Sequence, residues 1–78
     1  MRKTYRERIR ELREDMEPRL NQKDIAEILH TSQKVYSRYE TGAAKMPIHH
    51  LEALADFYGV SADYILGRTN ERKPYPRA

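Results

Sequence analysis

The 78-residue sequence contains no cysteine and only three glycines. The absence of cysteine excludes disulfide frameworks, thiolate metal sites and cysteine nucleophiles. The glycines are isolated, so they form no phosphate-binding loop. No apolar run approaches the roughly 18 residues of a membrane span, and the charged start at Met1–Arg6 lacks the apolar segment of a secretory signal. We therefore expect a cytoplasmic protein that does not enter a membrane.

Charge is spread unevenly along this single-domain chain, whose formal net charge is +3. The segment 30–45 carries three basic residues against one acidic residue, whereas 46–66 carries acidic residues and no lysine or arginine. The final residues, 68–78, are again mostly basic. A basic surface beside an acidic helix suggests one face for a polyanion such as nucleic acid, although a solvated charged surface is the alternative interpretation.

Helical periodicity and capping signals predict an all-α protein of five short helices, with no alternating strand pattern. The predicted helices cover about 4–16, 22–29, 33–41, 47–58 and 61–66. The folded domain is predicted to span 1–67, and 68–78, which has no apolar periodicity, to form a mobile basic tail. In the third helix Val35, Tyr36 and Tyr39 are the predicted inward positions. In the fourth helix the predicted apolar stripe consists of Ile48, Leu51, Leu54, Ala55 and Tyr58.

The second and third predicted helices form a helix-turn-helix unit, because only His30-Thr31-Ser32 separates them. With the apolar positions turned inward, the third helix presents Gln33, Lys34, Ser37 and Arg38 outward. Glutamine suits adenine, lysine and arginine suit guanine, and a serine hydroxyl suits either base. An ordinary solvated helix face would carry the same residue types, so both interpretations stay open from the pattern alone.

Two longer stretches resemble the phage repressor/Cro-type helix-turn-helix family, also called the xenobiotic-response-element family. The first is Gln22–Leu29 with Thr31–Gly42, and the second runs from Pro47 to Gly67. Several separately spaced blocks agree in order over about residues 5–68. The resemblance implies a compact, lambda-repressor-like five-helix fold. It also implies a transcriptional regulator, typically a repressor, that binds palindromic double-stranded DNA as a homodimer.

The resemblance also implies a role for each matching position. The positions of Gln33, Lys34, Ser37 and Arg38 contact bases, with Ser32 among the base- and backbone-contacting positions. Gln22 matches a glutamine that touches phosphate and buttresses the third helix. The loop holding Thr41, Ala43 and Lys45 meets the DNA backbone. Glu40 is expected to be structural, paired to a nearby arginine.

Two features depart from the family pattern. His30 stands where the family often has glycine, at a turn position that prefers positive φ. The stretch Met16–Arg19 is about two residues longer than the usual link between the first two helices, which leaves the placement of Arg19 against a phosphate open.

Functions other than transcriptional regulation are also compatible with a small helical domain. A DNA-binding antitoxin, or a module that holds a protein partner through its acidic fourth helix, is the alternative. An enzyme is not expected, because no convergent nucleophile and base are present. The adjacent His49 and His50 cannot share one helix face, so no metal site is expected. We expect no cofactor and no small-molecule effector.

One short helix reads only a few base pairs. We therefore expect specific binding to need two copies of the protein on the DNA. The candidates for a dimer surface are apolar residues near the end of the domain: Phe57, Tyr64, Ile65 and Leu66. Simple packing in the core is the competing interpretation for Ile65 and Leu66.

Overall fold

A computed structural model describes residues 3–74 and contains no strand within that range. The helices are α1 (Tyr5–Glu14), α2 (Gln22–Ile28), α3 (Gln33–Thr41), α4 (Ile48–Tyr58) and α5 (Ala62–Ile65). The predicted all-α, five-helix architecture is confirmed. The predicted helix ends differ by one or two residues, which is the usual uncertainty at fraying termini.

The helix starts follow from the capping residues that the sequence supplies. Thr4 and Glu7 form a capping box at α1, and Asn21 and Asp24 form a second one at α2. The hydroxyl of Ser32 accepts a hydrogen bond at the start of α3, as that of Ser61 does at α5. Each side chain satisfies a backbone N–H that the first helical turn leaves without an internal partner.

The core lies where all five helices meet. Its buried apolar side chains come from every helix and from the α4–α5 connection: Ile9, Leu12, Ile25, Ala26, Leu29, Tyr36, Tyr39, Leu54, Ala55, Val60, Tyr64 and Ile65. This arrangement holds α2 and α3 together as a rigid pair. The position of α3 is therefore set by the packing of the whole domain.

Two predicted inward positions are wrong. Val35 is 37% exposed, because residues on a helix lie about 100° apart and the inward face centres on Tyr36, with Tyr39 and Glu40 at its sides. Ile48 is 74% exposed, although it continues the apolar stripe of α4. It is the first residue of that helix and extends beyond the edge of the core.

The predicted dimer surface is partly wrong, because two of its four residues pack inside the domain. Tyr64 and Ile65 are buried inside the domain, where α5 packs on the core. Phe57 and Leu66 remain exposed. Those two residues are the part of the candidate surface that is accessible to another molecule.

The turn between α2 and α3 has the geometry that the family resemblance implies. His30 has a φ of 57°, in the left-handed region. Its N–H donates to the carbonyl of Glu27, and the N–H of Thr31 donates to that of Ala26. This pair of bonds is the Schellman motif, in which glycine is the usual left-handed residue.

Replacing His30 with glycine is therefore expected to stabilise the domain. The left-handed conformation costs a residue with a Cβ about 1–2 kcal/mol, part of which is offset by the greater freedom of glycine in the unfolded chain. We expect His30→Gly to raise the free energy of unfolding by about 0.5–1 kcal/mol. Urea denaturation of both proteins measures it, and an unchanged or lower midpoint would contradict the strain argument.

The segment after α5 contacts the helices. The N–H of Ser61 donates to the carbonyl of Arg72 at 2.8 Å, and Nη2 of Arg8 donates to Oδ1 of Asn70 at 2.8 Å. The guanidinium of Arg8 also lies 4.0 Å from the ring centroid of Tyr64. The division at residue 67 stays a prediction, and the part of the predicted tail from 75 to 78 lies outside the described residues.

Candidate nucleic-acid interface

The outward face of α3 carries the side chains predicted to read bases. Gln33, Lys34 and Arg38 are exposed, and Ser37 is half-buried. None of the first three donates a side-chain hydrogen bond to another residue within 3–74. Their amide, ammonium and guanidinium groups are free to meet an external partner.

The end of α3 is closed by main-chain bonds to the carbonyl of Arg38. Gly42 has a φ of 87°, and its N–H and that of Ala44 donate to this carbonyl at 3.0 and 3.2 Å. The hydroxyl of Thr41 donates to the same carbonyl at 3.3 Å. Because the main-chain carbonyl of Arg38 accepts these hydrogen bonds, the Arg38 side chain is not needed to end the helix.

The residues predicted to contact the DNA backbone lie at both ends of α3 and at the start of α2. Ser32 is exposed, and its hydroxyl accepts the N–H of Val35 at 3.2 Å while keeping its own proton available to donate. Thr41 and Lys45 are exposed on and after the last turn of α3. Gln22, at the first position of α2, is half-buried and turned toward α3.

A buried ion pair holds α3 against α1. Nε and Nη2 of Arg13 donate to the two carboxylate oxygens of Glu40 at 2.8 and 3.0 Å, and the two side chains are only 12% and 4% exposed. Nη1 of Arg13 also donates to the carbonyl of Leu20 at 3.2 Å. This two-pronged geometry fixes both groups, as expected for a charge-assisted arginine–carboxylate pair.

Gln22 joins the same cluster. Its Nε2 donates to Oε1 of Glu40 at 3.0 Å. Burial alone would raise the pKa of Glu40, but hydrogen bonds from Arg13 and Gln22 outweigh it and hold the pKa below its ordinary value. The carboxylate is therefore ionised at neutral pH, and one charge ties α1, α2 and α3 together.

Two buried tyrosine hydroxyls complete the surroundings of this carboxylate. The oxygens of Tyr36 and Tyr58 are buried and have no hydrogen-bond partner of good geometry within the described part of the chain. Burial raises the pKa of both phenols, while the charge of Arg13 opposes this shift and the charge of Glu40 adds to it. Both hydroxyls therefore stay neutral. Sequence reasoning assigned Tyr36 and Tyr58 to core packing without foreseeing their nearness to a charge.

A second polar contact fixes the start of α4. The Tyr39 hydroxyl and Nδ1 of His50 lie 2.9 Å apart, and the rings of His49 and His50 lie 4.3 Å apart between centroids. Burial lowers the pKa of His50, and neighbouring His49 adds to the shift, while the backbone of Leu29 opposes it. His50 thereby links α4 to α3.

The described residues contain neither a metal-binding cluster nor a membrane-spanning helix. Among residues 3–74, no group of three or more histidine, aspartate or glutamate side chains is placed to hold a metal ion. None of the helices in that range combines the length and apolar character needed to cross a bilayer.

Comparison with known proteins places the fold. A family model described as helix-turn-helix matches residues 9–65, which include α2 and α3 in full. An uncharacterized HTH-type transcriptional regulator, YobD of Bacillus subtilis (strain 168), is 37% identical over 70 residues. The match covers 90% of this chain and 61% of YobD, so the chain spans about three fifths of that relative's length. No solved structure gives a significant match.

The family match and the geometry agree on the same part of the chain. The matched range begins inside α1, at the buried Ile9, and ends with α5 at the buried Ile65, so it covers the whole core. The resemblance to the phage repressor/Cro type is confirmed. This chain belongs to the helix-turn-helix family.

Proposed function

We propose that this chain is a sequence-specific DNA-binding transcriptional regulator, acting as a repressor, and that α3 enters the major groove. The observation that carries the proposal is the difference between the two faces of α3. Glu40 and the neighbouring tyrosines fix the inward face, while Gln33, Lys34 and Arg38 extend outward and have no side-chain partner among residues 3–74. A rigid helix with free polar side chains is what direct readout of base edges requires.

The outward residues of α3 differ in the bases that their side chains can recognise. Gln33 can pair with adenine through its amide, and Arg38 or Lys34 can donate to O6 and N7 of guanine. The half-buried hydroxyl of Ser37 lies between them in sequence and suits a close approach of the base edge. We propose these four as the base-contacting residues.

Four further residues are proposed to bind phosphates on either side of the groove. Gln22 and Ser32 lie at the starts of α2 and α3, and the N–H groups of the first turn of α3 also favour an anion. Thr41 and Lys45 lie at the other end of α3. Contacts of this kind fix the register of the protein on DNA and carry no sequence information.

We further propose that two copies bind a palindromic operator. One α3 reads only a few base pairs, so specificity improves when two half-sites lie about one helical turn, roughly 34 Å, apart. Phe57 and Leu66 are exposed and apolar, and they are the proposed contact between copies. We propose repression because the phage repressor/Cro-type family that the chain resembles typically acts in this way.

Selection of bound sequences from random duplex DNA tests the proposal. We expect one enriched motif with two-fold symmetry and a half-site spacing near one helical turn. No enrichment would contradict sequence-specific binding, and a single short asymmetric motif bound one-to-one would contradict the dimer.

Salt dependence is a second expected result. Lysine and arginine side chains near α3 should displace several counterions, so log affinity should fall linearly with log salt, by about 0.9 for each phosphate contacted. Titration of labelled duplex between about 50 and 200 mM salt gives the slope. A slope near zero would contradict DNA binding.

A further inference from the structure

A basic groove lies between the start of α1 and the loop that follows α3. Its volume is about 610 Å³, and Lys3, Arg6 and Lys45 bring three cations to its wall. Thr4 and Gly42 also line it, above an apolar floor. Lys45 is a proposed phosphate ligand, whereas Arg6 has no role in the recognition surface described above.

Close packing on Gly42 determines where Arg6 lies. A Cβ on Gly42 would overlap Nη1 of Arg6 and lie 2.9 Å from its Cδ, so the side chain crosses directly over this residue. The start of α1 is itself held in place, because Thr4 and Glu7 cap it and the carbonyl of Lys3 packs against Gly67. The guanidinium of Arg6 therefore lies beside the loop that carries Lys45.

The cations of this groove are not equally neutralised. Lys3 donates to both carboxylate oxygens of Glu11 at 2.9 and 2.7 Å. Arg6 and Lys45 are exposed, and neither forms an ion pair with a carboxylate within residues 3–74. Two uncompensated positive charges thus line one groove, next to the end of the helix proposed to enter DNA.

We infer that Arg6 binds a phosphate of the DNA backbone, next to the phosphate bound by Lys45. The inference rests on the proposed function, and it adds α1 to the DNA-contacting elements. A planar guanidinium donates two parallel hydrogen bonds to phosphate oxygens. Because Arg6 already lies over Gly42, it reaches the phosphate without a large loss of side-chain freedom, and the contact extends the footprint by one nucleotide position.

The test compares Arg6→Gln with Arg10→Gln. Both variants remove one positive charge from the exposed side of α1, but Arg10 lies outside the groove that holds Lys45. With a random-sequence 30-base-pair duplex as probe, Arg6→Gln should make the log–log salt slope shallower by about 0.9 and weaken binding about eightfold near 0.1 M salt. Arg10→Gln should change the slope by less than half as much.

A third variant, Arg6→Lys, separates charge from packing. It should retain most of the wild-type slope, because a lysine still neutralises a phosphate. Equal losses in Arg6→Lys and Arg6→Gln would assign Arg6 to packing on Gly42 and overturn the inference. Equal slope changes in Arg6→Gln and Arg10→Gln would overturn it as well, since they would show a diffuse effect of net charge.

The Arg6 contact and the proposed function can be refuted separately. If the wild-type protein binds DNA with the expected salt dependence and Arg6→Gln behaves like wild type, the Arg6 contact is refuted and the proposed function stands. If the wild-type protein shows no salt-dependent binding to duplex DNA, both are refuted. Thermal unfolding by circular dichroism establishes that each variant is folded before it is titrated.

Discussion

Replacement of Glu40 by glutamine should lower the free energy of unfolding by about 3 kcal/mol. The change removes the charge that Arg13 faces across 2.8 Å and leaves that guanidinium largely buried without a counter-ion. Breaking a buried pair from one side costs more than the pair contributes, because the remaining charge keeps its desolvation penalty. Urea denaturation at neutral pH measures the difference from wild type.

The Lys3–Glu11 pair provides the matched control. Its N–O distance of 2.7 Å is as short as that of the Arg13–Glu40 pair, but its side chains are 50% and 37% exposed. Exposed pairs contribute at most about 1 kcal/mol, so Glu11→Gln should have a small effect. Similar losses in the two variants would show that burial of the Glu40 carboxylate is not what makes its pair important.

The same carboxylate should make the stability depend on pH in the acid range. The folded-state pKa of Glu40 is lowered, so its contribution is present above the unfolded pKa, which is about 4.3, and is lost as the pH falls through the folded value. Below about pH 4, the free energy of unfolding of the wild-type protein should therefore no longer exceed that of Glu40→Gln. A difference that stays constant from pH 7 to pH 3 would contradict the assignment.

Replacement of Arg38 by alanine should relax the base preference at one position in each half-site. A bidentate contact to guanine contributes about 1–3 kcal/mol of discrimination, and a dimer loses it twice. The variant should remain folded, because the bonds that end α3 use the main-chain carbonyl of Arg38. Affinity for random duplex should change little.

Lys45→Ala is the control for this prediction. Lys45 carries the same charge from the loop after α3, where it is proposed to meet a phosphate. Its loss should weaken binding to all sequences about equally and reduce the salt slope by up to about one unit. Each variant is titrated against the selected operator, a panel of single-base changes and random duplex. If Arg38→Ala lowers affinity uniformly and leaves the base preferences intact, Arg38 does not reach the bases.

Much of the fold could be predicted because its signals are local. The capping pairs Thr4–Glu7 and Asn21–Asp24 start their helices as expected. The left-handed turn at His30 is also present. Each of these features involves residues at most five positions apart, so a short window of sequence contains all the interacting groups.

Burial was less predictable, because it depends on how the helices pack. Val35 and Ile48 fit an apolar stripe and are nonetheless exposed, whereas Tyr64 and Ile65 were candidates for a dimer surface and are buried. A periodic pattern gives the direction of a side chain around its own helix. It does not give the direction or the end of the neighbouring helix that would cover that side chain.

The sequence by itself determined the order of the helices, their capped starts, the turn between α2 and α3 and the polar residues on the outward side of α3. Only the tertiary structure decided which charges meet. Arg13 and Glu40 are 27 positions apart in the sequence, and Gln22 and Glu40 are 18 apart. Arg6 lies in α1, whereas Gly42, which it contacts, follows α3. Contacts between such distant positions depend on the angles at which helices cross. Those angles follow from the packing of the whole core rather than from any short segment.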